Sequence, residues 1–126
     1  MVAKIHAAGE RGRDPVDKMR RGFRAYLDAC TEPAMQRIVL LEGPSVLGWS
    51  TWHEIDEAYG YGLVATALRM AMEAGAIEQQ DVGPLAHLLL GALTQAGLVV
   101  ARADDPRKRR TALVRSLDRM LEGLRP

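Results

Sequence analysis

Residues 84–101 read PLAHLLLGALTQAGLVVA, a run that is apolar nearly all the way round and broken only by His87, Thr94 and Gln95. Asp81, just ahead of it, is a side-chain acceptor of the kind that caps a helix. Pro84 falls in the first turn, where a missing N–H leaves no bond unmade. The run therefore predicts a helix over Leu85–Ala101. A surface helix normally shows one apolar stripe, and one that is apolar on every side must be covered on several sides. Gly91, Ala92, Ala96 and Gly97 add small residues that let another helix approach closely. Three polar residues within 17 positions, with no flanking aromatic belt, argue against a membrane span.

Downstream, Asp105-Pro106 is a second start signal, a capping acceptor followed by proline at the first helical position. Leu113, Leu117, Met120, Leu121 and Leu124 then form one stripe with arginines on the remaining surface, and Gly123 and Pro126 end the chain.

Upstream, Asp14-Pro15 carries the same signal. Val16, Met19, Phe23, Tyr26, Leu27 and Cys30 follow at helical spacing, with Asp17, Lys18, Arg20, Arg21 and Arg24 on the other side. This helix should end near Thr31–Glu32, because Pro33 disfavours the α conformation in the residue before it. A shorter helix, Pro33–Glu42, carries Met35, Ile38, Val39, Leu40 and Leu41 and stops at Gly43-Pro44. Ser45–Gly48 reads either as a loose turn or as the opening of the next helix. Thr51 and Glu54 have capping-box spacing, so a start near Thr51 is one option. From there the pattern runs to Glu73 or Ala74, closed by Gly75, with Trp52, Ile55, Tyr59, Leu63, Ala67 and Met70 along one side. Gly60 and Gly62 interrupt it at about 1 kcal/mol each relative to Ala, which calls for a packing or kinking reason. At the N-terminus, Val2–Ala8 reads as the tail of a longer helix, ended by Gly9 and a flexible GERGRD run.

Composition agrees with an all-α fold, a bundle of about five helices. Of the 126 residues 48% are hydrophobic, enough for one core, while aromatics are only 5%. Clusters of Val, Ile, Thr and Tyr that would build strands are absent, and Ala, Leu, Met, Arg and Glu dominate. A net charge of +1 is too balanced to indicate nucleic-acid binding by itself. The single Cys30 excludes an internal disulfide and suits a reducing, cytoplasmic compartment. No apolar run near the N-terminus is long enough for a signal peptide.

The last two helices carry the strongest mechanistic inference. Leu85–Ala101 has more apolar surface than one shell of neighbours covers. Pairing two copies of it and of its stripe-bearing partner across a two-fold axis gives a four-helix bundle that buries the surplus. The expected dimer contacts are Leu88, Leu89, Gly91, Ala92, Gln95, Ala96 and Val99, with Leu113, Leu117, Met120 and Leu121. A central helix inside a lone subunit is the alternative.

A candidate ligand site comes from the other helices. Phe23, Tyr26, Leu27, Cys30, Ile38, Leu41, Trp49, Trp52, Ile55 and Tyr59 could converge on one cavity. Ligand pockets are mostly apolar with a few polar groups to orient the guest, and the tyrosine hydroxyls and indole N–H groups would supply those. The alternative is that these side chains simply fill the core, the commoner fate of aromatics at helical spacing.

Catalytic patterns are weak. His53 and Glu57 lie one turn apart, a spacing a metal site can use, but no second histidine or cysteine is near and HExxH is absent; a solvated helical face accounts for them better. His6 and His87 are isolated. Cys30 sits in an apolar stripe without a basic partner, so it reads as an inert core thiol. Gly43-Pro44 lacks the signature of a phosphate loop, and there is no GxSxG elbow. No metal, cofactor or catalytic residue is expected. The basic cluster Arg102, Arg107, Lys108, Arg109 and Arg110 reads as a solvated helix start rather than a DNA contact.

Two stretches carry a family likeness. Ile38–Leu63 contains LLEGPSVLGW, the WHEID pattern of Trp52–Asp56 and the Tyr59-Gly60 pair, and Pro84–Leu98 reads PLAHLLLGALTQAGL. Together they resemble the effector-binding and dimerisation domain of TetR-type bacterial transcriptional repressors, over roughly Asp14 to Leu124. The resemblance implies homodimerisation through the last two helices and a pocket in each subunit for a small apolar or amphipathic effector. Binding would shift a connecting helix, here the remnant within residues 1–13, and so change the spacing of two DNA-binding heads on operator DNA. The expected domain is 14–126, with no helix-turn-helix ahead of it, so operator DNA would be reached only through a missing N-terminal domain. Two other readings of the residues stay open: a structural helical interaction module without a pocket, and a helical-bundle enzyme with His53 and Glu57 at a metal.

Overall fold

The computed structural model describes residues 14–37 and 49–126, with side chains described for 14–37 and 60–126. The expected Val2–Ala8 helix, the GERGRD loop, the second half of Pro33–Glu42 and the Gly43-Pro44 break lie outside the described residues. Among the described residues there are five helices and no strand: α1 Pro15–Ala29, α2 Pro33–Arg37, α3 Trp49–Glu73, α4 Val82–Arg102 and α5 Pro106–Glu122.

Local signals set the helix ends. Asp14 accepts from the Asp17 N–H at 2.9 Å, Asp81 from Gly83 and Asp105 from Lys108, so all three caps form. Each satisfies one of the N–H groups a helix start leaves orphaned. α3 closes in a Schellman arrangement: Gly75 adopts φ +72°, its N–H bonds to Met72 O, and the Ala76 N–H bonds to Ala71 O. Since Trp49 already lies within α3, Thr51 is not its cap.

The long helices pack around one apolar cluster. α1 contributes Val16, Met19, Phe23 and Leu27, with Cys30 just beyond its end; α3 contributes Val64, Ala65, Leu68, Ala71 and Met72. Ile77, Ala86, Leu89, Leu93, Val100, Val114, Leu117 and Leu121 complete it. The α1 stripe is the expected one. The α3 stripe is not: Leu63 and Met70 are 44% and 54% exposed, and the buried register is Val64, Leu68 and Ala71. Leu63 and Val64 are consecutive, so the two apolar stripes of α3 adjoin, and periodicity alone does not choose which one turns inward.

α1 and α5 run antiparallel, laced by Arg24–Asp118 at 2.5 Å and Arg110–Asp28 at 2.6 Å, with Arg125–Asp14 at 3.7 Å. Half-exposed pairs of this kind contribute about 0.2–1 kcal/mol each, so they fix register more than they stabilise. Asp17, expected on the solvated side, is buried beneath Arg20 and Arg21, whose guanidinium groups donate to it at 2.9 and 3.0 Å.

Candidate functional site

α4 buries only one stripe, Ala86, Leu89, Leu93, Gly97 and Val100, against its own subunit. In its most apolar 18-residue window only 28% is buried, and the helix is long and apolar enough to cross a membrane by length and composition. Its opposite side carries Leu88, 72% exposed, then Gly91, Ala92, Gln95 and Val99 on successive turns. On the neighbouring α5, Met120 is 51% exposed and Leu113 half-buried. Of the residues expected at a dimer contact, then, Leu88, Gly91, Ala92, Gln95, Ala96, Val99, Leu113 and Met120 have exposed or half-exposed surface. Leu89, Leu117 and Leu121 do not: they fill the subunit's own core at 3%, 6% and 0% exposure. α4 thus shows a core face inward and a second, uncovered apolar face outward, with Met120 and Leu113 of α5 as the apolar positions with exposed surface on the neighbouring helix.

Phe23, Leu27 and Cys30, expected in a ligand site, are buried side by side on the inner face of α1. Burial pushes the Cys30 thiol up to about 11, partly offset by a hydrogen bond with Tyr26, so the sulfur stays protonated and unreactive at neutral pH. Tyr26 is half-buried and stands against α4: a Cβ at Gly97 would come within 2.8 Å of its ring and of its hydroxyl. That contact gives Gly97 its reason, since any larger residue would push Tyr26 off the helix. Trp49, Trp52, Ile55 and Tyr59 lie on α3, where Trp52, Ile55 and Tyr59 share the backbone register of Leu63 and Met70. Their side chains, and the whole of Ile38 and Leu41, lie outside the described residues.

Two contacts at the α3–α4 junction were not anticipated from sequence. Gly60 admits Leu90, whose Cδ1 lies 2.8 Å from where a Cβ would sit, which explains the glycine inside the helix. Tyr61 stacks on His87 with ring centroids 4.6 Å apart at 35°. Alternating Tyr-Gly-Tyr-Gly over 59–62 was the available signal, because glycine inside a helix commonly marks a close approach. In the basic cluster Arg110 is tied to Asp28, while Arg102, Arg107, Lys108 and Arg109 are exposed. No group of three or more His, Cys, Asp or Glu side chains able to hold a metal occurs among the described residues.

The same architecture occurs in known proteins. Residues 16–124 match the family described as Tetracyclin repressor-like, C-terminal domain. Among solved structures, a TetR-family transcriptional regulator from Pectobacterium atrosepticum superposes with a TM-score of 0.82 at 27% identity, covering 97% of this chain and 62% of that one. The chain thus spans less than two-thirds of that regulator's length. No curated protein matches the chain. A family match over nearly its whole length, on an all-α bundle of the same shape, places the chain in the tetracyclin repressor-like C-terminal domain family.

Proposed function

We propose that this chain is the ligand-sensing and dimerisation domain of a TetR-type transcriptional repressor, without enzymatic activity of its own and working in the cytoplasm. Two copies pair through the outer faces of α4 and α5, and each holds a small apolar or amphipathic effector among α1, α2 and α3. Operator DNA is read by a head domain outside residues 14–126. The effector acts by binding one of two body conformations more tightly, because a ligand of equal affinity for both shifts nothing.

The observation that carries this reading is the uncovered side of α4. A soluble subunit rarely leaves a contiguous apolar patch in water unless a partner covers it. Its small residues Gly91 and Ala92 suit helix-on-helix approach, and its inner stripe is seated on α3 and α5 rather than facing lipid.

Sedimentation of the chain tests the pairing, with a dimer expected at micromolar concentration. Fluorescence of Trp49 and Trp52 across an apolar small-molecule library tests the sensing, since both indoles belong to the expected ligand site. A monomer at every concentration would reject the first half of the reading, and a flat response with no thermal stabilisation the second.

A further inference from the structure

A net charge of +1 hides how the fold sorts its charges. Residues 14–29 and 105–126 together carry eleven Lys and Arg against six Asp and Glu, whereas residues 30–104 carry three against nine. Ion pairs between α1 and α5 hold the first two segments side by side, so their excess of positive charge gathers in one layer. The carboxylates of that layer are already engaged. Asp17 is held by Arg20 and Arg21, Asp118 by Arg24, Asp28 by Arg110 and Glu122 by Arg125, while Asp14 and Asp105 cap their helices. Lys18, Lys108, Arg115 and Arg119 are exposed and make no ion pair among the described residues.

From sequence the basic cluster read as a solvated helix start, but in the fold it continues along α5. At about 100° per residue, Lys108, Arg115 and Arg119 fall within roughly 40° of one line, over a rise of about 16 Å. That line is turned about 130° from Leu113 and Met120, so pairing through those residues leaves it open. The antiparallel packing of α1 on α5 brings the exposed Arg21 and Lys18 toward its Arg119 end.

The side chains between these cations are small: Thr111, Ala112 and Ser116. None of the exposed large hydrophobics, Leu63, Met70, Leu88 and Met120, stands on the line. A protein partner is normally held by a buried aromatic or apolar anchor. A helix lying on a membrane buries an apolar face, and single-stranded bases stack on aromatic rings. This surface has none of these. Its regular row of cations suits the backbone of a duplex, which offers one phosphate per ~3.4 Å on each strand, so about 16 Å spans roughly five base pairs. The guanidinium fork also matches phosphate oxygens bidentately. Arg107, Lys108 and Arg109 sit where cations oppose the helix dipole, a cost that phosphates against them offset.

We propose that the α1–α5 face, centred on Arg115 and Arg119, binds the phosphate backbone of double-stranded DNA without regard to sequence. This goes beyond the sensing and pairing reading and does not rest on it, because the contact belongs to the body and needs no head domain.

Fluorescence anisotropy of two unrelated 20-base-pair duplexes, titrated with the full chain between 50 and 200 mM salt, tests it. Both duplexes should bind equally, and affinity should fall about sixtyfold over that range, the log–log slope of roughly −3 expected for three to four phosphate contacts. The double variant Arg115→Gln/Arg119→Gln should weaken binding tenfold or more at 50 mM salt and flatten the slope by about 2, with an unchanged melting temperature because both side chains are exposed. Arg69→Gln, at an exposed position on α3, should leave the slope where it is. Polyglutamate and phosphatidylserine vesicles are the competing probes, and both should bind more weakly than the duplexes. No duplex binding at 100 μM chain in 50 mM salt, a preference for one duplex, or a double variant that binds as the wild type overturns the proposal. So does tighter binding of polyglutamate or of the vesicles, which would assign the face to an acidic protein or to a lipid surface.

Discussion

Leu88 and Leu89 are adjacent in sequence and chemically identical, yet they should respond to truncation in opposite ways. Leu88 is 72% exposed in the subunit and Leu89 only 3%. If the outer face of α4 pairs with a second copy, a Leu88→Ala change removes three carbons whose burial occurs only on dimerisation. At ~0.8 kcal/mol per buried carbon this is roughly 2.4 kcal/mol, or ~1.7 after scaling by the exposed fraction. The two-fold axis counts the residue twice, so the dimer loses on the order of 3 kcal/mol, and its Kd rises about a hundredfold or somewhat more. The subunit itself should keep its Tm at concentrations where both proteins are monomeric. Leu89→Ala opens a cavity in the core instead, and should cost ~2–5 kcal/mol of folding stability. Sedimentation equilibrium over a wide concentration range, with circular dichroism melts, reads both quantities. A Leu88→Ala variant whose monomer–dimer equilibrium stays where it was would refute the pairing face. Leu88→Arg and Ala92→Arg, which place a charge on the same face, should give monomers outright.

Two glycines in helices and one in a turn should answer differently to the same methyl group. Gly62 has nothing within 4 Å of the position a Cβ would take, so Gly62→Ala should gain helix propensity and raise Tm by about 3–5 °C, whereas Gly97→Ala drives Tyr26 aside and should lower it in spite of the same propensity gain; equal melting shifts for the two would contradict the contact geometry. Gly75 holds φ +72°, a conformation that costs an L-residue roughly 1–2 kcal/mol, so Gly75→Ala should destabilise although space is open around it; a neutral result in a urea melt would show that the loop relaxes. Cys30 should resist thiol reagents in the folded chain, react on unfolding, and contribute pH-dependent stability. Its pKa is near 11 when folded against 9.0 otherwise, so burial favours the neutral thiol. That contribution is whole below pH 9 and is lost as pH rises toward 11. Fast labelling of native protein at pH 8 would overturn the assignment.

The starts of α1, α4 and α5 were legible because their causes are local. Asp14, Asp81 and Asp105 each cap through a hydrogen bond to an N–H two or three residues on, and a neighbouring proline marks the same place in sequence. The α1 stripe was legible too, since Arg20, Arg21 and Arg24 oppose Phe23 and Leu27 clearly enough to leave one inward choice. α3 offered no such contrast. Leu63 and Met70 compete with Val64 and Leu68, and only the packing partners on α1 and α4 decide between them.

What the amino-acid order determined by itself was helix placement, the all-α class and the surplus of apolar surface on Leu85–Ala101, because caps, proline and composition act within a few residues. Which side of each helix faces inward was decided by tertiary structure. Rotating an all-round apolar helix changes little in its own energy, and the choice falls to neighbours distant in the chain: Leu90 against Gly60, Tyr26 against Gly97, and Leu89 inside while Leu88 looks out.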